Sequence, residues 1–390
     1  MKICFIAWSD FGIGGVPRVL TGLMNSLSRE HDVSLYSLKN LPQSDAYVIN
    51  REKIHIYCRE MTLYEKIRRS AVDFLVNKTP LFSSSLGCRM YASARYTSSF
   101  KKALASHINE HQYDVVIFGS SLEDSLLLSL VRPHIPLHTK TVSWSHTSYE
   151  DYFRIKGNYF SRYFHHALRM FYHRFDRIVV LSNDDQKNFK IHDQLITQRI
   201  YNPSSFKPKK YSSLTSKTFV FAGALSSHKG ADIALKAFEE FCKDNEEWNL
   251  HLYGDGPLRP WIEKFIWQHD LQSRVHLHGN QGNMEQEYPK HTIFLFPSRY
   301  EGFGLVQIEA MSCGLPIIAA NLPICRELIK DSGAGHLFPA GDSHALCNIM
   351  HSMVDEDLTP YALKARAQEQ FFTQERITGE WNNLFKSLNS

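Results

Sequence analysis

The sequence has no run of the roughly 18 apolar residues that a membrane-crossing helix requires. It has no C-x-x-C pair, no G-x-G-x-x-G, no repeat of fixed period and no low-complexity tract. The missing glycine fingerprint argues against a dinucleotide site. The seven cysteines are odd in number and scattered, which argues for reduced thiols in the cytoplasm and against a zinc site. The opening MKICFIAWSD carries one Lys and reaches Asp10 too soon for a signal peptide, so it reads as a first strand. What is present fits a soluble globular protein: 43% hydrophobic and 22% charged residues. At 390 residues the chain is too long for one ordinary core and implies two domains. The net charge of +4 conceals an asymmetry. The first 200 residues hold 26 Lys and Arg against 18 Asp and Glu, the remainder 18 against 22. A basic first half suits an acidic acceptor or an anionic membrane surface as well as an ordinary solvated surface.

Short apolar runs alternate with helical periodicity along the whole chain. Ile3–Ala7, Val33–Leu38, Val115–Phe118, Thr141–Trp144 and Ile178–Leu181 read as strands of one half. Phe219–Ala222, Leu250–Tyr253, Val275–Leu277, Ile293–Phe296 and Pro316–Ala320 repeat the rhythm in the other. After the first strand, Val16, Val19, Leu20, Leu23 and Leu27 share a helical face. Such alternation predicts an α/β chain of two doubly wound parallel-sheet domains. Residues 203–217, rich in Pro, Ser and Lys, read as the linker between residues 1–202 and 218–368. Two stretches depart from the rhythm. In one, Leu63, Ile67, Ala71 and Phe74 share a helical face among basic residues. The other, 148–175, is dense in Tyr, Phe, Arg and His. Each suits either a helix packed on the sheet, the preferred reading, or one lying on a membrane.

The segment FLFPSRYEGFGLVQIEAMSCGLP, residues 294–316, carries the most chemistry. A buried strand gives way to Gly302-Phe303-Gly304 and then to a helix closed by Gly314 and Pro316. Glu301 and Glu309 bracket the turn with seven residues between them. Bare backbone N–H groups at a helix start favour a diphosphate. Carboxylates on both sides would repel a phosphate alone and suit hydroxyls, so the pattern points to a nucleotide-sugar.

The E-x7-E pattern, with PSRYEGFGL and EAMSCGLP, resembles the retaining glycosyltransferases of family four, which have the GT-B fold of two Rossmann-like domains and an interdomain cleft. The resemblance implies roles. Glu301 touches the transferred sugar and Glu309 accepts the ribose hydroxyls. The N–H groups of Phe303, Gly304 and Leu305, beside Gly302, hold the distal phosphate. Lys229, in Gly223-Ala224-Leu225-Ser226-Ser227-His228-Lys229-Gly230, matches the family's G-R-L-x-x-x-K-G, but Ala224 stands where the family has Arg. An Ala cannot stabilise charge on a leaving phosphate. His228, if protonated, or Arg299 is the candidate replacement. His146, after the strand ending at Trp144, is expected beside the donor sugar. Gly14 and Gly15, in a glycine-rich turn starting at Phe11-Gly12-Ile13, approach the donor phosphates. Asn280 and Gln281 follow the strand Val275–Leu277 near the base. Arg18, Trp144 and Tyr149 are acceptor-side candidates. Residues 369–390 are expected as a helix crossing back to the first domain.

The resulting expectation is a metal-independent retaining hexosyltransferase that needs no cofactor beyond its co-substrate, a nucleoside diphosphate sugar, with UDP placed before GDP. Its acceptor is a glycan or glycolipid of lipopolysaccharide or capsule, at the cytoplasmic face of the inner membrane, with no nucleic acid as partner. Two rivals stay open. One is a nucleotide-sugar epimerase on the same fold. The other is a non-catalytic nucleotide-sugar-binding protein, for which Ala224 is the motive.

Overall fold

Continuous apolar runs become strands buried on both faces, as parallel sheets covered by helices require. VVIF at Val115–Phe118 and IFLF at Ile293–Phe296 are buried at every position. The computed structural model describes residues 1–8, 11, 14–41, 48–82, 84–155 and 165–389. It divides into two units, Met1–Asn202 with Gln374–Ser390, and Pro203–Thr373.

The first unit holds β1 (Lys2–Ala7), β2 (Asp32–Ser37), β3 (Ile54–Cys58), β4 (Val115–Phe118), β5 (Lys140–Trp144), β6 (Arg177–Val180) and β7 (Thr197–Arg199). Their order is β3-β2-β1-β4-β5-β6-β7, parallel throughout. Ile3 lies opposite Val33 on one side and Val115 on the other, so the order reverses between β1 and β4. Helix α1 (Gly15–Leu27) buries Val19, Leu20, Leu23 and Leu27. Helix α2 (Leu63–Lys78) begins at a capping box. The Thr62 hydroxyl accepts from the Glu65 amide at 3.3 Å, and Glu65 Oε2 accepts from the Thr62 amide at 3.0 Å. Helix α3 (Ser85–Arg95) follows.

The structure corrects the preferred reading of α2. Its inward side is Glu65, Val72 and Val76, while Leu63, Ile67, Ala71 and Phe74 face solvent. The inward side is fixed by ion pairs. Arg95, 2% exposed, reaches Asp73 at 3.1 Å and Asp124 at 3.0 Å, and Arg69 reaches Asp124 at 2.5 Å. In the stretch 148–175, Tyr149, Tyr152, Leu168, Phe171 and Tyr172 join the core, and residues 156–164 lie outside the described residues.

The second unit holds β8 (Thr218–Ala222), β9 (Asn249–Tyr253), β10 (Val275–Gly279), β11 (Ile293–Phe296), β12 (Ile317–Ala320) and β13 (Gly335–Phe338). They are ordered β10-β9-β8-β11-β12-β13 and are again parallel. Helix α4 (Ala231–Phe241) follows β8, and α5 (Leu305–Ser312) follows β11. The order reverses between β8 and β11, and an open α/β sheet binds its ligand at the carboxyl ends of the strands at such a point. The segment 203–217 lies against this unit. Ser212 N donates to Cys313 O at 2.9 Å, and the Arg366 guanidinium sits 3.5 Å over the Tyr211 ring.

The C-terminal helix, α6, spans Gln374–Asn389 and belongs to the first unit. It begins later than residue 369. Glu369–Phe371 is a short 3-10 turn, and Phe372 stays with the second unit, 6.1 Å from Phe303. Ile377, Trp381, Leu384, Phe385 and Leu388 form the buried stripe of α6, and the Trp381 ring packs 4.8 Å from that of Trp144.

Candidate active site

In the second unit, the loops after β8 and β11 close on each other. Gly230 has φ +73°, and a Cβ there would stand 2.0 Å from the Pro297 carbonyl oxygen, so glycine alone permits the approach. Lys229, one residue earlier, donates from Nζ to Glu301 Oε2 at 2.5 Å. The two side chains are 29% and 13% exposed, so salt screens the pair less than a surface pair.

Arg299 fastens the same two loops. Its Nη1 and Nη2 donate to Asp232 Oδ1 and Oδ2, each at 2.8 Å, a fork-to-fork geometry that keeps the guanidinium firmly protonated. Arg299 Nη1 also donates to Ser227 O at 2.5 Å, and its amide to His228 O at 2.9 Å. His228 Nε2 lies 2.8 Å from the Tyr300 carbonyl oxygen; a carbonyl only accepts, so this nitrogen carries a proton and donates. Both candidates for the charge missing at Ala224 therefore already bind protein groups. Ala224 itself is exposed.

The turn from β11 into α5 presents amides. Gly304 has φ +76° and offers no side-chain cap to the first turn of α5. A Cβ at Gly304 would meet Phe296 Cζ at 2.5 Å. Gln307, wholly buried, donates from Nε2 to the Phe303 carbonyl and so holds the turn from within. Phe303 is buried, Gly302 is also inside, and Leu305 opens the helix at intermediate exposure. Glu309 lies deeper, 1% exposed, and its Oε2 accepts from the Tyr288 hydroxyl at 3.2 Å. Asn280 and Gln281 are exposed beyond β10, and Gln281 Nε2 donates to His278 O at 3.0 Å.

The first unit gathers its own group at the carboxyl ends of β1 and β5. Gly14 and Gly15 lead into α1, and the Arg18 amide donates to Gly14 O at 3.4 Å. Gly12 and Ile13 lie outside the described residues. His146 follows β5, its ring 4.5 Å from that of Trp144. Among the described residues its Nε2 is sealed from solvent without a partner, and burial pushes the imidazole down to about 3, so the ring is neutral near pH 7.

Two acceptor-side candidates are corrected. Trp144 has no exposed surface and packs between His146 and Trp381, so an acceptor cannot touch it. Tyr149 is 8% exposed, its amide donates to Asp185 Oδ1 at 2.7 Å, and its ring packs on Phe189. Both are core residues. Sequence reasoning also missed Asp232, Tyr288 and Gln307. Asp232 is 67 positions from Arg299, and no local pattern marks that pairing. Gln307 had a signal, a polar residue on the inward face of a short helix.

Two Rossmann-like units, the second with a glycine turn, an uncapped helix start and a Lys–Glu pair at its switch point, define a glycosyltransferase of the GT-B class. The chain belongs to family four of that class. Residues 13–201 match the model of Glycosyltransferase Family 4, and residues 204–370 match that of Glycosyl transferases group 1. An uncharacterized glycosyltransferase of Haemophilus influenzae is 26% identical over 395 residues, covering 98% of this chain and 99% of its own. Among solved structures, Anabaena HepE in complex with UDP superposes with a TM-score of 0.74 at 19% identity, covering 99% of this chain and all of its own. The lipopolysaccharide outer core galactosyltransferase WaaB, in its apo form, gives 0.70 at 17% identity over 99% of each chain.

Proposed function

We propose that this glycosyltransferase moves a hexose, with retention, from a nucleoside diphosphate sugar to a hydroxyl of a glycan or glycolipid. The Lys229–Glu301 pair, 2.5 Å long beside the Gly302–Gly304 turn, carries the reading. It sets a cation and a carboxylate at the mouth of a helix N-terminus, where a diphosphate and its sugar both find partners. Phe303, Gly304 and Leu305 offer amides to the distal phosphate. Lys229 leaves Glu301 for the phosphate as the donor arrives, which frees Glu301 to accept from sugar hydroxyls. Glu309, steadied by Tyr288, accepts from the ribose hydroxyls. His146 meets the donor sugar as a neutral hydrogen-bonding ring, consistent with its depressed pKa.

In the reaction the bond from C1 to the phosphate oxygen breaks, and a bond from C1 to the acceptor oxygen forms on the same face. The acceptor proton passes to the departing phosphate. Lys229 and the dipole of α5 stabilise the charge that collects there, so the step needs no metal. A UDP-sugar is the favoured donor, supported by HepE, which has been solved with UDP. The likeness to WaaB, a lipopolysaccharide outer core galactosyltransferase, supports an acceptor in lipopolysaccharide; a capsule acceptor and a meeting place at the cytoplasmic face of the inner membrane belong to the same proposal. Ala224 favours one rival, donor binding without turnover.

The test incubates the protein with UDP-, GDP- and ADP-sugars in EDTA, with and without a bacterial glycolipid extract, and follows each donor by mass spectrometry. Acceptor-dependent loss of one UDP-sugar is expected. Conversion of a donor to its epimer without acceptor refutes transfer. Donor binding by calorimetry without any turnover supports the rival.

A further inference from the structure

The outward row of α2 continues onto its neighbour. Leu63, Ile67 and Phe74 are 73%, 60% and 62% exposed. Leu81, in the turn that follows, is 56% exposed, and Leu86 and Met90 of α3 are 70% and 51%. Exposed apolar side chains scattered singly are ordinary, but a contiguous set on two adjacent helices marks an interaction surface. The two helices are held together. Arg68 Nε donates to Ala94 O at 2.7 Å, and the Tyr91 hydroxyl donates to Asp73 Oδ1 at 2.7 Å.

Within the two helices the exposed charges are basic, while Glu60, before α2, stands 3.9 Å from Lys66. Between Leu63 and Arg95 the sequence has six basic residues and two acidic ones. Both acids are turned inward, Glu65 to Arg59 at 3.3 Å and Asp73 to Arg69 and Arg95. Lys66, Lys78 and Arg89 are exposed among the apolar side chains. A protein partner is usually met by charges of both signs that fix register. A face with exposed cations and leucines complements a surface that is uniformly anionic and apolar beneath.

We propose that the α2–α3 pair is a docking face for an anionic lipid surface. Leu63, Ile67, Phe74, Leu81, Leu86 and Met90 enter the headgroup–acyl boundary, and Lys66, Lys78 and Arg89 meet lipid phosphates. The inference rests on the exposed face alone and draws on no step of the proposed transfer.

The test is sedimentation of the full chain with vesicles of phosphatidylcholine alone and of phosphatidylcholine mixed equally with phosphatidylglycerol. Binding to the mixed vesicles only, weakened by high salt, is expected. Lys78→Glu/Arg89→Glu lowers the partition at least roughly fivefold per side chain. Ile67→Ser/Phe74→Ser lowers it at least about tenfold with the melting temperature unchanged, because both side chains are exposed. Failure to bind mixed vesicles, or equal binding by both variants, overturns the proposal. So does a concentration-dependent dimer that Ile67→Ser/Phe74→Ser abolishes, which makes the face a contact between copies. Donor turnover with a soluble acceptor, measured on the same samples, reports separately on the transferase reading.

Discussion

Lys229→Met keeps the aliphatic stem and removes the charge, which separates two roles of the Lys229–Glu301 pair. As structure, the pair joins two loops through one 2.5 Å charge-assisted bond. Its loss leaves Glu301, 13% exposed, without that cation and costs about 1–2 kcal/mol. That corresponds to a few degrees in melting temperature. Glu301→Gln in the same chain removes the unpaired charge, so Lys229→Met/Glu301→Gln recovers most of that loss. On the proposed chemistry, Lys229 meets charge that develops on the leaving phosphate, and deleting such a group is expected to cost about 10²–10³ in kcat. The double variant regains stability and stays slow. The assay pairs thermal melts with nucleotide release under saturating donor and acceptor for all four members of the cycle. The argument fails if Lys229→Met keeps a third of wild-type kcat, or if activity returns along with stability in the double variant.

Ala224→Arg places a cation at an exposed position of the loop whose other candidates, His228 and Arg299, already bind Tyr300 O and Asp232, so kcat is expected to rise about tenfold in steady-state assays. Gly230→Ala adds a Cβ 2.0 Å from Pro297 O at φ +73°, and a loss of about 3 kcal/mol is expected in urea denaturation. Acid weakens the second unit through His291, which is 3% exposed and which burial, with His251, His278 and Lys290, pushes down to about 3. It stays neutral in the fold while the unfolded chain takes a proton near pH 6.5, so its contribution is intact above that pH and falls as pH drops towards 3. The loss is about 2 kcal/mol at pH 5, and His291→Gln should lose correspondingly less between pH 7 and 5 in melts.

The strand rhythm was legible because both sheets are covered on two faces, so most strands are plain apolar runs. Ile54–Cys58, Thr197–Arg199 and Gly335–Phe338 escaped notice. They are strands at the sheet edges with partly exposed residues; TQR and GHLF carry little apolar signal, and in IHIYC only Ile54 is buried. The Gly-x-Gly turn and its flanking Glu pair could be read because the turn, the helix start and the carboxylates lie within ten residues. The Arg299–Asp232 clamp, the Tyr288–Glu309 bond and the burial of Trp144 under Trp381 could not, since each joins distant segments through tertiary packing. For α2, periodicity found the apolar stripe and mistook its direction. Period alone does not say which face is inward, and here buried ion pairs to Arg95 and Arg69 decide it.

The chain leaves the first unit at Asn202 and rejoins it at Gln374, and the two ends of the intervening unit are tied by Ser204 N donating to Phe372 O at 2.7 Å. The second unit is thus an insertion within the first, and this orders synthesis. Domains fold as the chain emerges, N-terminal parts first. Residues 1–202 contain β1 to β7 yet lack Trp381 and Phe385, both wholly or nearly buried, so this sheet waits for a helix made after the second unit to cover it. The inserted unit is complete by Thr373 and folds while its host is still open, leaving the surface around Trp144 uncovered for the time needed to make about 170 residues. A nascent chain stalled before Gln374 therefore carries a finished second unit and an unfinished first one, the state in which a chaperone would find the most to hold.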